Sequence, residues 1–419
     1  MAGPSGHSGR KVTVIGAGIV GIACASYLQR DGHSVTVVDA VAPGEGCSKG
    51  NAGGLSPGAV VPMAMPGVLP QVPRWLLDPR GPLTIRWSYL AQALPWLMRF
   101  VRAADPRRVE EVADALLALH RDLFESYAPL FAAAGAESLI RRSGQLYVYG
   151  SEAAYAKDAG AWALREARGI PIEHLSGDQI RQREPALAPI FARGVLLPEH
   201  GYCLDPFRLV QLLADRFRRD GGVVLRRKVT GFELGAEGPI RLRTDGGELE
   251  VETLVVAAGA WSHLLARQLG SRVPLESHRG YHVTVADPGV SPRLSIMWAE
   301  RKFMSTPMAP GLRFAGTVEF AGLEAAPDYR RARSLLEQGK RMFPELDADN
   351  VSEWMGHRPT LPDTLPVIGR SPHYPTTYYA FGHGHTGLSG APMTGRLIAD
   401  LVAGRPPTID IAPFRVDRF

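Results

Sequence analysis

Cysteine is scarce in this 419-residue chain: Cys24, Cys47 and Cys203 are all there is, at no paired or ligand-like spacing. That excludes a disulfide framework and a cysteine-based zinc site, and it suits a reducing cytoplasm. No run of about 18 or more apolar residues occurs, so nothing reads as a membrane span. The stretch Met1 to Arg10 is polar and lacks the apolar core of a secretory signal. Charge imbalance is small, at +5, with 21% charged and 45% hydrophobic residues, the profile of an ordinary globular protein. The basic runs Arg216–Arg219 and Arg226–Lys228 carry no interleaved aromatics and read as solvated faces, which argues against a nucleic-acid partner.

Glycine, by contrast, is abundant where it is informative. The apolar run Val12–Ile15 empties into Gly16-Ala17-Gly18-Ile19-Val20-Gly21, and a helical stretch follows at once. In a strand–G-x-G-x-x-G–helix unit the first glycine permits a tight turn. The second lets a pyrophosphate approach the backbone, and the third lets helix and strand pack closely. The helix N-terminus offers unpaired N–H groups to the phosphates. A second strand, Ser34–Val38, ends at Asp39, close to the spacing of about 20 residues at which a carboxylate meets a ribose diol. Strand, turn, helix, strand and acid in order predict dinucleotide binding.

The rest of the chain divides by pattern. A glycine-dense loop, Gly44–Gly54, follows Asp39 and is expected beside the nucleotide. Residues 59–104, rich in Pro, Leu, Trp and Met, read as an insertion over a pocket, either capping a second domain or touching a membrane surface. Residues 107–134 and 152–168 read as amphipathic helices, and Gly144–Tyr149 as a strand of a second sheet. Asp205 is placed to cap a helix beginning at Pro206. Glu252–Ser262 reads as a buried strand running into small residues, and residues 273–350 alternate like a sheet. The end of the chain, through Gly382–Pro392 and a helix from about Met393 to Val402, returns to the nucleotide unit. Two interleaved units are expected: 1–58, 195–272 and 351–419 forming one, 59–194 and 273–350 the other.

These pieces in this order resemble the D-amino-acid oxidase superfamily of FAD-dependent oxidoreductases over nearly the whole chain, and within it the bacterial D-amino-acid dehydrogenases. The resemblance rests on Pro73-Arg74-Trp75-Leu76, on Gly356–Gly369 and on Gly382–Ser389. Pro307-Met308 together with Gly316–Phe320 is most similar to the D-hydroxyproline dehydrogenases of that branch. The implied fold is α/β, a Rossmann-type FAD-binding domain interleaved with a mixed-sheet substrate-binding domain. Gly16, Gly18, Ile19 and Val20 would hold the FAD pyrophosphate, and Asp39 and Ala40 the adenosine ribose. Ser48, Asn51, Ala52 and Gly53 match the loop along the flavin, Val229 a backbone contact to adenine, and Ala258, Gly259 and Trp261 the second cofactor strand. Gly384, His385, Thr386, Gly387, Leu388 and Ser389 would set a helix N-terminus at the electron-rich edge of the isoalloxazine. The other readings of Gly-His-Gly-His are a plain turn or a two-histidine metal site, and the latter lacks a third ligand at useful spacing. Relatives that attach FAD covalently use a cysteine late in the chain. None follows Cys203 here, so FAD is expected to be non-covalent.

Oxidising an amino acid to its imino acid needs Cα–H directed at flavin N5, a neutral amine and a partner for the carboxylate. Arg with Tyr supplies that partner best. Relatives often carry Arg just after the proline at 307, where this chain has Met308, so the carboxylate partner falls among Arg279, Tyr281, His357 and Arg358, with His385 near the flavin. Arg358 could instead bridge to Asp363, Tyr281 could be a packed sheet tyrosine, and Glu319 could meet a substrate ammonium or ring hydroxyl. The expected reaction is dehydrogenation of a D-amino acid, with D-proline or cis-4-hydroxy-D-proline in view. Electrons would pass to a quinone-type acceptor at the inner face of the membrane. The rivals are a glycine- or sarcosine-type oxidase using oxygen, an NAD-dependent dehydrogenase, and a flavin-dependent tRNA-modification protein.

Overall fold

A computed structural model describes residues 9–66, 81 and 83–419; the Pro73–Leu76 motif lies outside the described residues. Two sheets organise the chain. The first has six strands in the order Val223–Arg226, Ser34–Asp39, Lys11–Ile15, Thr253–Val256, Thr377–Phe381 and Val367–Arg370. All neighbours are parallel except the last pair. Its strands are nearly continuous apolar runs because both faces are covered. Helices Ile19–Arg30, Pro206–Arg219 and Gly387–Val402 pack on one face, with Pro106–His120 and Leu123–Ala134 beyond them. A three-stranded antiparallel sheet (residues 229–250) and helix Ser262–Gln268 cover the other.

From Lys11–Ile15 the chain moves to one side of the sheet and later returns on the other. The strand order therefore reverses between Lys11–Ile15 and Thr253–Val256, the crevice where open α/β sheets bind ligands. The last helix lies tight on the first: a Cβ at Gly395 would sit 2.7 Å from the Ala23 carbonyl.

The second sheet has nine strands. Along its main path they are Val351–Thr360, Glu276–Val285, Gly311–Phe320, Phe303–Met308, Ser295–Trp298, Gln145–Tyr149, Arg193–Leu197 and Glu173–Ser176, with Leu83–Ile85 paired onto Gly311–Phe320. Strand alternation gives it two faces. Val283 and Val285 pack with Leu335 and Met342 of helix Arg330–Met342. The opposite face, carrying Gly280 and His282, meets the 47–54 loop, where His282 Nδ1 donates to the Gly50 carbonyl at 3.1 Å.

The unit boundaries expected at 195 and 351 move. Arg193–Leu197 and Val351–Thr360 both pair within the second sheet, the latter along the whole of Glu276–Val285. The chain returns to the first sheet only after Thr360. Partner choice for such strands is non-local, and alternation alone does not reveal it. The final helix begins at Gly387, six residues before the apolar stretch that signalled it.

Candidate active site

The turn after Lys11–Ile15 is closed by close contacts that only glycine allows. Gly16 has φ +115°, and a Cβ there would lie 2.2 Å from the Ala257 carbonyl at the end of the neighbouring strand. A Cβ on Gly21 would lie 1.9 Å from the Gly16 carbonyl. Gly18 differs: a Cβ would meet nothing nearer than Ser48 Oγ at 3.4 Å, so its face is open. Gly18 supplies no side-chain cap to helix Ile19–Arg30, and the Ser48 hydroxyl accepts from the Ile19 N–H at 3.0 Å. The Asp39 carboxylate accepts from Ala17 N at 2.6 Å and Val41 N at 3.1 Å. Burial raises its pKa and those backbone donors oppose the rise. Ala40, next in sequence, is exposed.

The following loop is fixed from the second sheet. Arg313 Nη1 donates to the Asn51 carbonyl at 2.7 Å, and Thr306 Oγ1 to the Ala52 carbonyl at 2.8 Å. Asn51 Oδ1 accepts from Gly53 N at 2.7 Å, and Gly53 takes φ +81° with Cys203 N donating to its carbonyl. Burial pushes the Arg313 guanidinium down to about 10. Arg313, Thr306 and His282 are supports that motif reading misses. Their only signal is a polar side chain buried within a strand.

A cavity of about 350 Å³ lies between this loop, the second sheet around Gly280 and Gly316, and the turn at Gly384–Ser389. Arg358 and His385 line it, as does Cys47, whose thiol burial raises. Arg358 Nη1 donates to the Thr317 carbonyl at 2.8 Å and Nη2 to the Gly316 carbonyl at 3.3 Å. That aim comes from a bulge. Arg279 pairs with Glu319 and Tyr281 with Gly316, so Thr317 and Val318 stand opposite Gly280 alone. Thr317 takes φ +61°, a strained value for a β-branched residue. The guanidinium lies where a Gly280 side chain would be, 2.1–2.2 Å from a built Cβ. Asp363 is not its partner but bonds Arg418 at 2.8 Å.

Arg279 goes elsewhere. It is fully buried on the opposite face of the sheet, with Nη1 3.4 Å from Glu319 Oε2. Tyr281 borders the cavity, yet its hydroxyl donates to Glu319 at 2.6 Å and accepts from Asp328 N at 2.9 Å. Glu319 is 2% exposed and also bonds Arg86 at 2.8 Å, so it is turned away from any ligand in the cavity. His357 is on that face too, bonded to Ser277 at 2.8 Å and edge-on to Trp261, with burial pushing it down to about 4. His383 and His385 diverge: His383 Nε2 bonds Thr394 Oγ1 at 2.8 Å inside the protein, while His385 faces the cavity. The surrounding protein, and then Arg358, keep His385 below the ordinary histidine range. Gly384, at φ +52°, donates to the Pro359 carbonyl, and helix Gly387–Val402 starts behind Thr386. Leu388 and Ser389 are buried, and Ser389 Oγ accepts from Ser56 N at 3.1 Å. Ala258 and Gly259 follow Thr253–Val256, and Val229 opens a strand of the small sheet.

Residues 11–401 match the family model of the FAD-dependent oxidoreductases. The chain belongs to that family. A D-amino-acid oxidase of Bradyrhizobium diazoefficiens is 43% identical over 98% of this chain and 99% of its own. A D-amino acid dehydrogenase of Paramagnetospirillum magneticum is 36% identical over 98% and 99%. Among solved structures, a glycine oxidase from Bacillus cereus superposes with a TM-score of 0.74 at 19% identity, covering 98% of this chain and 99% of that one. The oxidoreductase is FAD-dependent, and its residues fit the cofactor: the open face at Gly18, the N-terminal end of helix Ile19–Arg30 and the Asp39 carboxylate suit a dinucleotide at the crevice.

Proposed function

We propose that this oxidoreductase dehydrogenates D-amino acids at Cα, giving the imino acid. Arg358 carries the reading. Its guanidinium is held by two backbone carbonyls on the wall of a cavity that also touches the 47–54 loop and the 384–389 turn. A cation fixed in this way suits a carboxylate and orients Cα. FAD, when bound, supplies the two-electron acceptor for the hydride that leaves Cα. Gly16, Gly18, Ile19 and Val20 would hold its pyrophosphate, Asp39 and Ala40 its ribose, and Val229 its adenine. Ser48, Asn51, Ala52 and Gly53, with Ala258, Gly259, Trp261 and Gly384–Ser389, would line the flavin. His385, held neutral, adds no charge to compete with Arg358 for the carboxylate, and the substrate amine loses its proton to solvent.

The acceptor is a quinone in this reading. Helix Leu90–Ala103 supports it by exposing Leu94, Met98 and Val101 about half each, beside Trp87 at 84%. The expectation of D-proline or cis-4-hydroxy-D-proline loses Glu319 as a ring-hydroxyl partner and keeps both compounds as members of the panel. The holoenzyme is mixed anaerobically with D- and L-amino acids while the visible flavin band is followed. Bleaching by D-isomers only is the expected result, and bleaching by glycine, sarcosine or L-isomers instead would overturn the reading. Because the relatives carry both oxidase and dehydrogenase names, the reduced enzyme is then exposed to air and to a soluble quinone. Fast reoxidation by the quinone with little peroxide is expected.

A further inference from the structure

The cavity continues past Arg358. Its far wall is formed by strand Gln145–Tyr149, helix Ala159–Glu166 and the turn at Lys302, and it presents two cations, Arg165 and Lys302, beside Tyr147. Arg165 is 7% exposed. Its guanidinium carbon lies 4.6 Å from the Trp162 ring centroid and 5.6 Å from that of Tyr147, and Nη1 donates to the Ala161 carbonyl at 3.1 Å. Stacking and hydrogen bond together fix its position. Its Nε is buried without a partner, and among the described residues it forms no ion pair.

Lys302 has one loose contact, 3.8 Å to Asp158, whose other oxygen accepts from the Tyr149 hydroxyl at 3.0 Å. The adjacent polar groups are occupied. His200 Nδ1 bonds Gln145 Oε1 at 3.1 Å, His200 Nε2 accepts from Gly58 N at 3.2 Å, and the Gln145 amide reaches Met304 Sδ at 3.0 Å. Burial, and then Arg165, hold the His200 imidazole down at about 3, so it is neutral. Two cations lining one cavity favour an anionic group between them.

We propose that this end of the cavity binds a second carboxylate, borne on the substrate side chain, so that the preferred substrates are acidic D-amino acids. The α-carboxylate lies on Arg358, and the distal carboxylate on Arg165 and Lys302. The proposal rests on the reading of D-amino-acid dehydrogenation given above.

The test is the ratio of reductive kcat/KM for D-glutamate and D-aspartate against D-alanine and D-leucine, measured on the FAD-loaded protein. The acidic pair should be favoured at least tenfold. Arg165→Gln and Lys302→Gln should each cut that preference about tenfold, through KM. Lys302→Glu should reverse it toward D-lysine. Calorimetry with glutarate against butyrate gives a readout independent of turnover, and glutarate should bind tighter only while Arg165 is intact. The proposal is overturned if D-alanine is used as well as D-glutamate, if the variants depress all substrates equally, or if they change only reoxidation by the acceptor. If no D-amino acid reduces the flavin, the broader reading falls as well. The two failures are therefore distinguishable.

Discussion

Arg358 owes its position to a residue with no side chain. Gly280 stands under the guanidinium at a distance where any Cβ would collide with it. Gly280→Ala therefore displaces Arg358 rather than removing it. We expect KM for D-amino acids to rise at least tenfold with FAD content unchanged, measured by steady-state kinetics beside the flavin-to-protein absorbance ratio. At this scale the sequence was half legible. Period-two alternation separates Arg279 and Tyr281 from His278, Gly280 and His282, but it does not say which set faces the ligand. That is decided by what packs on each face: helix Arg330–Met342 on one side, the 47–54 loop on the other. Arg358 was among the candidates because Arg suits carboxylates. Arg165 was not, because a lone arginine in a short amphipathic helix resembles a solvated one until Trp162 and Tyr147 are seen around it.

Among elements, the strand–turn–helix at Lys11–Arg30 was the most legible, because strand, glycine turn and helix follow one another without a break in the sequence. Gly21 faces the Gly16 carbonyl so closely that Gly21→Ala must lift the helix from the strand. Purified Gly21→Ala should fold, by far-ultraviolet circular dichroism, yet retain less than about a tenth of the normal flavin. A fully loaded protein would contradict this account of the turn. The edges of the second sheet were least legible. Val351–Thr360 reads by sequence as part of the nucleotide unit, because its place beside Glu276–Val285 depends on ten pairings with a segment distant in sequence. The bulge at Thr317 leaves no mark in composition, since threonine is an ordinary strand residue.

Across the whole molecule, several histidines are buried and held neutral. Burial pushes His120 down to about 4, and His200, His282 and His383 down to about 3. An unfolded histidine titrates near 6.5, so between there and about 3 the unfolded chain binds more protons than the folded one. Stability from these groups is complete above that upper value and is lost as pH falls toward the lower one. The slope is at most roughly 1.4 kcal/mol per pH unit for each proton. His120 and His200 repel one another's protons, as do His120 and His383. Thermal midpoints of the holoenzyme should therefore decline steeply between pH 6 and pH 4, and His383→Asn should flatten the decline. A midpoint indifferent to pH over that range would be incompatible with these burials.

The glycine turn has its back wall at Ala257, and its sheet is completed by Thr377–Phe381. During synthesis the most recognisable motif therefore leaves the ribosome long before the surfaces that close it. The emerging chain must keep strand Lys11–Ile15 from mispairing while almost everything else is made, and the nucleotide can be gripped only near the end. Such an order makes chaperone supply and flavin availability joint determinants of yield.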